Sequence, residues 1–218
     1  MITTNIDPIP FFRKKGRPLS FDREDALHKA MLLFWRHGYE ATSLNDLTTT
    51  LGIKPSSIYS VFGDKKRLFL EAVSKYLSGP ISSESIIDAA ADGREAALAL
   101  LRAAAIGFTG QDTPAGCLLA SSAISCSEAA GDVKEELAAI RRGIEARLRD
   151  KVISSVKAGQ LPGDTHAENL AGLTMAVIQG MSTLARDGAP RDKLIGLVET
   201  TMLAWPEAKN SSNSAKAI

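Results

Sequence analysis

Ser56, Ser57, Tyr59 and Ser60 crowd three small hydroxyls and a phenol into five positions. Such side chains bond phosphate oxygens and base edges, and small ones let a duplex come close. Just downstream, Lys65-Lys66-Arg67 adds three cations, and upstream lies a basic arm, Arg13-Lys14-Lys15-Gly16-Arg17-Pro18. Positive charge on both sides of a hydroxyl-rich face points to a polyanion as partner. Enzyme chemistry would need a nucleophile with a base, paired carboxylates or metal ligands. None of GxSxG, HExxH or a glycine-rich phosphate loop occurs. His28 and His37 are nine apart, with no Cys or acidic partner at ligand spacing. No catalytic and no metal residues are therefore assigned.

The elements that hold the hydroxyls follow from spacing. Leu44, Leu47 and Leu51 recur at three and four residues, one face of a helix. Ser43 stands at the N-cap with Asp46 three residues on, a capping-box pattern, and Gly52 fits a left-handed C′ position. Pro55 suits the first position of a second helix. There Ile58, Val61 and Phe62 share an inner face, and Ser56 and Ser60, flanked by Ser57 and Tyr59, take the outer one. A helix from Asp22 to Gly38 precedes this pair, with Leu27, Ala30, Met31 and Phe34 inward. Another follows from Asp64 to about Leu77 and links the unit to the rest of the chain. The predicted fold is all-α, with an N-terminal helix-turn-helix.

The 218 residues carry a net charge of +1, unevenly spread. Residues 11–75 hold twelve Lys/Arg against seven Asp/Glu, whereas residues 76–218 hold fourteen against seventeen. The positive field thus belongs to the N-terminal third. No secretory signal and no apolar run approaching roughly 20 residues is present, so a cytoplasmic protein without membrane contact is expected.

The order FD-x-x-x-AL-x-x-A-M-x-x-F-W-x-x-GY-x-x-TS, then LGI-x-x-x-S-x-Y-x-x-F-G-D-K, resembles the TetR/AcrR family of bacterial transcriptional regulators over about 55 residues, Phe21 to Tyr76. The resemblance implies a DNA-binding domain, a homodimer and a helical C-terminal domain that binds a small ligand. It implies phosphate contacts from Thr42, Ser43 and Lys65, and a recognition surface of Pro55, Ser56, Ser57, Tyr59 and Ser60. Lys54 joins that surface where many members carry a Ser or Thr cap. Arg17, in the arm, is placed to reach a minor groove.

The expected organisation is a basic arm (1–18), a helix-turn-helix domain (19–79), a helical effector-binding and dimerisation domain (80–205) and a disordered tail (206–218). Helices are expected at Arg94–Phe108, Gly116–Ser127, about Asp132–Ala158, Thr165–Arg186 and Pro190–Ala204. A cavity among them is expected to be lined by Phe108, Cys117, Ile124, Met175 and Gln179 and to take a small-molecule effector; no cofactor is called for. Two stripes, Leu173, Val177, Gly180, Met181 and Leu184, then Leu194, Leu197, Val198 and Thr201, are expected to form the dimer interface as a four-helix bundle.

The function this predicts is a sequence-specific regulator, a repressor released from a palindromic double-stranded operator by that ligand. A thiol-responsive regulator using Cys117 and Cys126 is one alternative. On one helix the two would be separated by about 13 Å of rise, beyond the roughly 7 Å a disulfide tolerates. Gly116-Cys117-Leu118-Leu119 moreover resembles a packing element of one TetR-like C-terminal group. A helical architectural or protein-interaction protein is the other alternative.

Overall fold

A computed structural model describes residues 21–79, 82–122 and 130–207. Among these residues every regular element is helical. Four helices come first: α1 (Arg23–His37), α2 (Leu44–Leu51), α3 (Pro55–Phe62) and α4 (Lys65–Leu77). Asp22 caps α1 by accepting from the amides of Glu24 and Asp25. The predicted capping box closes α2: Ser43 Oγ accepts from the Asp46 amide, and the Asp46 carboxylate accepts from the Ser43 amide. Gly52, at φ 66°, ψ 28°, ends α2 in the left-handed region, so the chain can turn at once into α3. Phe34 of α1 meets Phe69 of α4 edge-on, ring centroids 5.1 Å apart, and Ile58 and Phe62 of α3 are buried with them. One side of α3 is thereby fixed inward and its hydroxyl side is left outside.

Six further helices follow: α5 (Ser83–Ala89), α6 (Gly93–Phe108), α7 (Leu118–Ser121), α8 (Gly131–Lys157), α9 (Ala167–Arg186) and α10 (Arg191–Met202). The Ala/Leu-rich α6 is central and packs against α5, α8, α9 and α10. Its small residues make this possible. A Cβ on Gly93 would lie 2.7 Å from a Val152 methyl, and the Gly93 amide donates to Ser155 Oγ at 3.0 Å. The buried apolar residues form one continuous core from Ala26 to Trp205.

Two expectations change here. The predicted Gly116–Ser127 helix is the four-residue α7, with Cys117 at its N-cap. The distance argument against a Cys117–Cys126 bridge assumed one continuous helix and does not hold. Cys126 itself lies outside the described residues, as do Ile124, Arg17, the rest of the 1–18 arm and the tail beyond residue 207. Second, Met181, Leu194 and Val198 are 1%, 0% and 1% exposed within the single subunit. They face its own core and cannot meet a second copy. On α9, residue 181 lies on the inward edge of the stripe, about 80° round the helix from residue 173 and about 100° from residue 180, and packing turns that edge to the subunit's own core.

The two halves are joined by specific hydrogen bonds. Trp35 Nε1, at the end of α1, donates to the Gly116 carbonyl at 3.1 Å. Arg186, in the last turn of α9, donates to the carbonyls of Trp35 (3.1 Å) and Arg36 (2.9 Å). It so satisfies carbonyls left open at the end of α1. Gly116 adopts φ +80°, and a Cβ there would sit 2.7 Å from the Ser182 carbonyl oxygen. Lys66 of α4 pairs with Asp132 in the first turn of α8.

Candidate nucleic-acid interface and ligand cavity

The outer side of α3 presents Pro55, Ser56, Tyr59 and Ser60 to solvent, with Ser57 half-buried at its edge. Tyr59, 52% exposed, is a large aromatic that stands outside the buried core. Its ring and hydroxyl stand free beside the small serines, which is the relief a helix needs to enter a major groove. Ser60 Oγ donates to the Ser57 carbonyl at 3.1 Å, so its lone pairs face outward. Lys54, at the N-cap of α3, makes no capping hydrogen bond and is exposed. Among the described residues no carboxylate lies within 4 Å of Lys54 or Arg67.

Lys65 is held in place. Its Nζ sits 4.6 Å from the Tyr39 ring centroid and 3.4 Å from the Glu40 carbonyl oxygen. Burial lowers its pKa from the ordinary lysine value, opposed by the charges of Glu40 and Asp46. An ammonium so fixed is preorganised for a phosphate. Lys66, by contrast, is turned to Asp132 and does not join the cationic rim.

Two predicted contacts are altered. Thr42 is 1% exposed, and its hydroxyl donates to the Gly38 carbonyl at 2.7 Å. It shapes the α1–α2 turn and offers nothing to a phosphate. Ser43 is exposed, but its amide and hydroxyl both donate to Asp46 Oδ2, at 2.8 and 2.6 Å. Those hydrogen bonds, the hydroxyl's first, hold the Asp46 carboxyl below its usual range. The donors remaining at this end of α2 are the first-turn amides of Leu44 and Asn45, at the positive end of the helix dipole.

Behind these helices lies a cavity of about 260 Å³. Phe108, Cys117, Met175 and Gln179 all line it, brought together from α6, the α7 N-cap and α9. Sequence reasoning missed Trp35, Tyr76 and Arg141, which line it too. Trp35 and Tyr76 belong to α1 and α4, the frame of α3, and meet edge-on at 4.8 Å. Tyr76 Oη donates to Cys117 Sγ at 3.5 Å; burial first, then the thiol, pushes the phenol pKa far above its ordinary value. A phenol on the apolar stripe of α4 was the one signal that could have flagged Tyr76. Trp35 and Arg141 carried none, because nothing local distinguishes a cavity-facing indole or arginine.

On α9, Leu173 and Gly180 are exposed and Val177 and Leu184 half-buried; on α10, Leu197 and Thr201 are half-buried. These six form an outward, largely apolar face. Among the described residues there is no cluster of His, Cys, Asp and Glu able to hold a metal, and no helix long and apolar enough to cross a membrane.

Comparison with known proteins gives a consistent result. Residues 26–72 match the family described as bacterial regulatory proteins, tetR family, and residues 94–195 match the tetracyclin repressor-like C-terminal domain. The HTH-type transcriptional repressor ComR of Escherichia coli (strain K12) is 37% identical over 197 residues, covering 89% of this chain and 94% of that protein. The HTH-type transcriptional repressor BdcR of the same organism is 28% identical over 187 residues, 84% of this chain and 88% of that protein. Among solved structures, a cysteine mutant of the TetR family transcriptional regulator CifR, complexed with 26bp double-strand operator DNA, is 37% identical with a TM-score of 0.82. That match covers 87% of this chain and all of the other.

Proposed function

Because this chain belongs to the TetR family of bacterial transcriptional regulators, we propose that it acts as a homodimer, holds a palindromic operator through α3, and releases it when a small molecule fills the cavity. It is a DNA-binding transcriptional regulator; repression, dimerisation and release are the proposed part. A similar protein, CifR, has been solved on operator DNA, which supports a duplex partner here. Tyr59, Ser56, Ser57, Ser60 and Pro55 read the groove. Lys54, Lys65 and the first-turn amides of α2 take phosphates, and Arg17 adds an arm contact. The outward α9–α10 face pairs with its copy, setting the spacing of the two α3 helices.

The observation that carries the ligand reading is the wall of the cavity. Trp35 and Tyr76 come from α1 and α4, so an occupant touches the frame of α3 directly. A ligand acts only through its differential affinity for two states. An occupant that displaces Tyr76 or Trp35 favours the state in which α1 and α4 have shifted, and the recognition helices no longer match the helical repeat. The protein works in the cytoplasm with no catalytic turnover and no cofactor.

Selection of genomic fragments with purified protein, then footprinting, tests this. The expected result is two protected half-sites one helical turn, about 10 bp, or a multiple apart. Protection spread evenly over unrelated fragments would reject the reading in favour of an architectural protein.

A further inference from the structure

We propose that the cavity is built for a small apolar molecule carrying one carboxylate, with Arg141 as the seat of that head group. The inference rests on the ligand-responsive reading above and names the ligand's chemistry. Among the described residues Arg141 is the single formally charged member of the wall, and no carboxylate lines it. Its neighbours on α8 behave differently: Arg142 pairs with Glu135, Arg147 with Asp88, and Arg149 with Asp150 and Glu168. Among the described residues Arg141 has no carboxylate within 4 Å. One guanidinium N–H is bound to the Leu119 carbonyl at 2.7 Å, which fixes the group and leaves other donors for a planar partner. A partly buried cation without a counter-charge is costly, and an incoming carboxylate offsets that cost.

The rest of the wall is apolar or neutral. Trp35, Tyr76, Phe108 and Met175 offer rings and a thioether to the ligand body. The Tyr76 phenol stays protonated at neutral pH and competes with no anion. About 260 Å³ corresponds to roughly nine waters at liquid density, room for a body of about a dozen heavy atoms. A molecule seated on Arg141 of α8 and against Trp35 and Tyr76 would bridge the two halves of the chain.

The test uses the full-length protein and two probes with one skeleton, 4-phenylbutyrate and 4-phenylbutan-1-ol, by titration calorimetry and by release of the selected operator. The expected result is at least tenfold tighter binding of the acid. Arg141→Gln should abolish that preference while leaving the alcohol's affinity in place, which shows the cavity intact. The wild-type comparison decides even if Arg141→Gln fails to fold. Equal affinity for acid and alcohol overturns the carboxylate proposal and leaves the ligand-responsive reading standing. An acid preference that survives Arg141→Gln also overturns it, because the anion then sits elsewhere. If neither probe binds at millimolar concentration the carboxylate proposal is overturned, and the ligand-responsive reading is then decided separately by whether other small molecules release the selected operator.

Discussion

Tyr59 separates binding from folding more cleanly than other positions on α3. It is 52% exposed and lies outside the buried core, so Tyr59→Ala should leave thermal stability within about 0.5 kcal/mol. Operator affinity measured by anisotropy should fall by about 1–3 kcal/mol. Lys65→Ala should weaken binding to every duplex alike and reduce the slope of log K against log salt by about one. Ser43 and Asp46 give a prediction in pH. The carboxyl of Asp46 is depressed in the folded chain by the Ser43 hydroxyl and amide. Its contribution is therefore complete above the unfolded value, 3.8, and is lost as pH falls through the lower folded value. Protection of the α2 amides, taken relative to the intrinsic exchange rate at each pH, should fall in acid below about pH 4, and Ser43→Ala should remove that step and cost about 1 kcal/mol at neutral pH. The serines of α3 and the capping box were legible because each depends on neighbours within four positions. Thr42 was not: the carbonyl that seals it is also four residues away, but a buried turn and an exposed cap read alike in sequence.

At the scale of elements, the joint between α1 and α9 determines how the recognition helix is held. Arg186 reaches two carbonyls about 150 positions earlier, and Gly116 turns with φ +80° in a gap too small for a Cβ. Arg186→Ala removes a charged donor from two open carbonyls and should cost about 1.5–3 kcal/mol. Gly116→Ala combines backbone strain of order 1–3 kcal/mol with the clash on Ser182. It should lower Tm by several degrees, at about 2–4 °C per kcal/mol. Calorimetry checks both variants. Helices α1 to α4, α6, α8, α9 and α10 were readable, since each repeats its apolar residues over two or more turns. The seven-residue α5 was not, because so short a helix gives periodicity little length to register, and α7 was expected over Gly116–Ser127 where the helix spans only Leu118–Ser121. Arg186, Trp35 and Arg141 were silent for another reason. Their roles depend on pairings between distant segments, which local spacing does not encode.

For the whole molecule, the outward face of α9 and α10 decides whether two recognition helices act together. Val177→Arg places a charge on that face. It should yield a monomer by light scattering, with helical content retained, and lose about 100-fold or more in operator affinity as the second half-site is forfeited. Met181→Ala is the opposite case: at 1% exposure it should cost about 2–5 kcal/mol yet remain dimeric. Both residues lie on one apolar helix, and the sequence pattern grouped them because α9 is apolar over more than one face. Only packing against the subunit's own core separates inside from outside. Whether this chain reads a sequence and not merely a polyanion is decided by its affinity for the selected operator and for a scrambled duplex of equal length, at two salt concentrations. A sequence-specific regulator prefers its operator by about 10³ or more, with both affinities falling as salt rises. A ratio near one at both concentrations would contradict that reading.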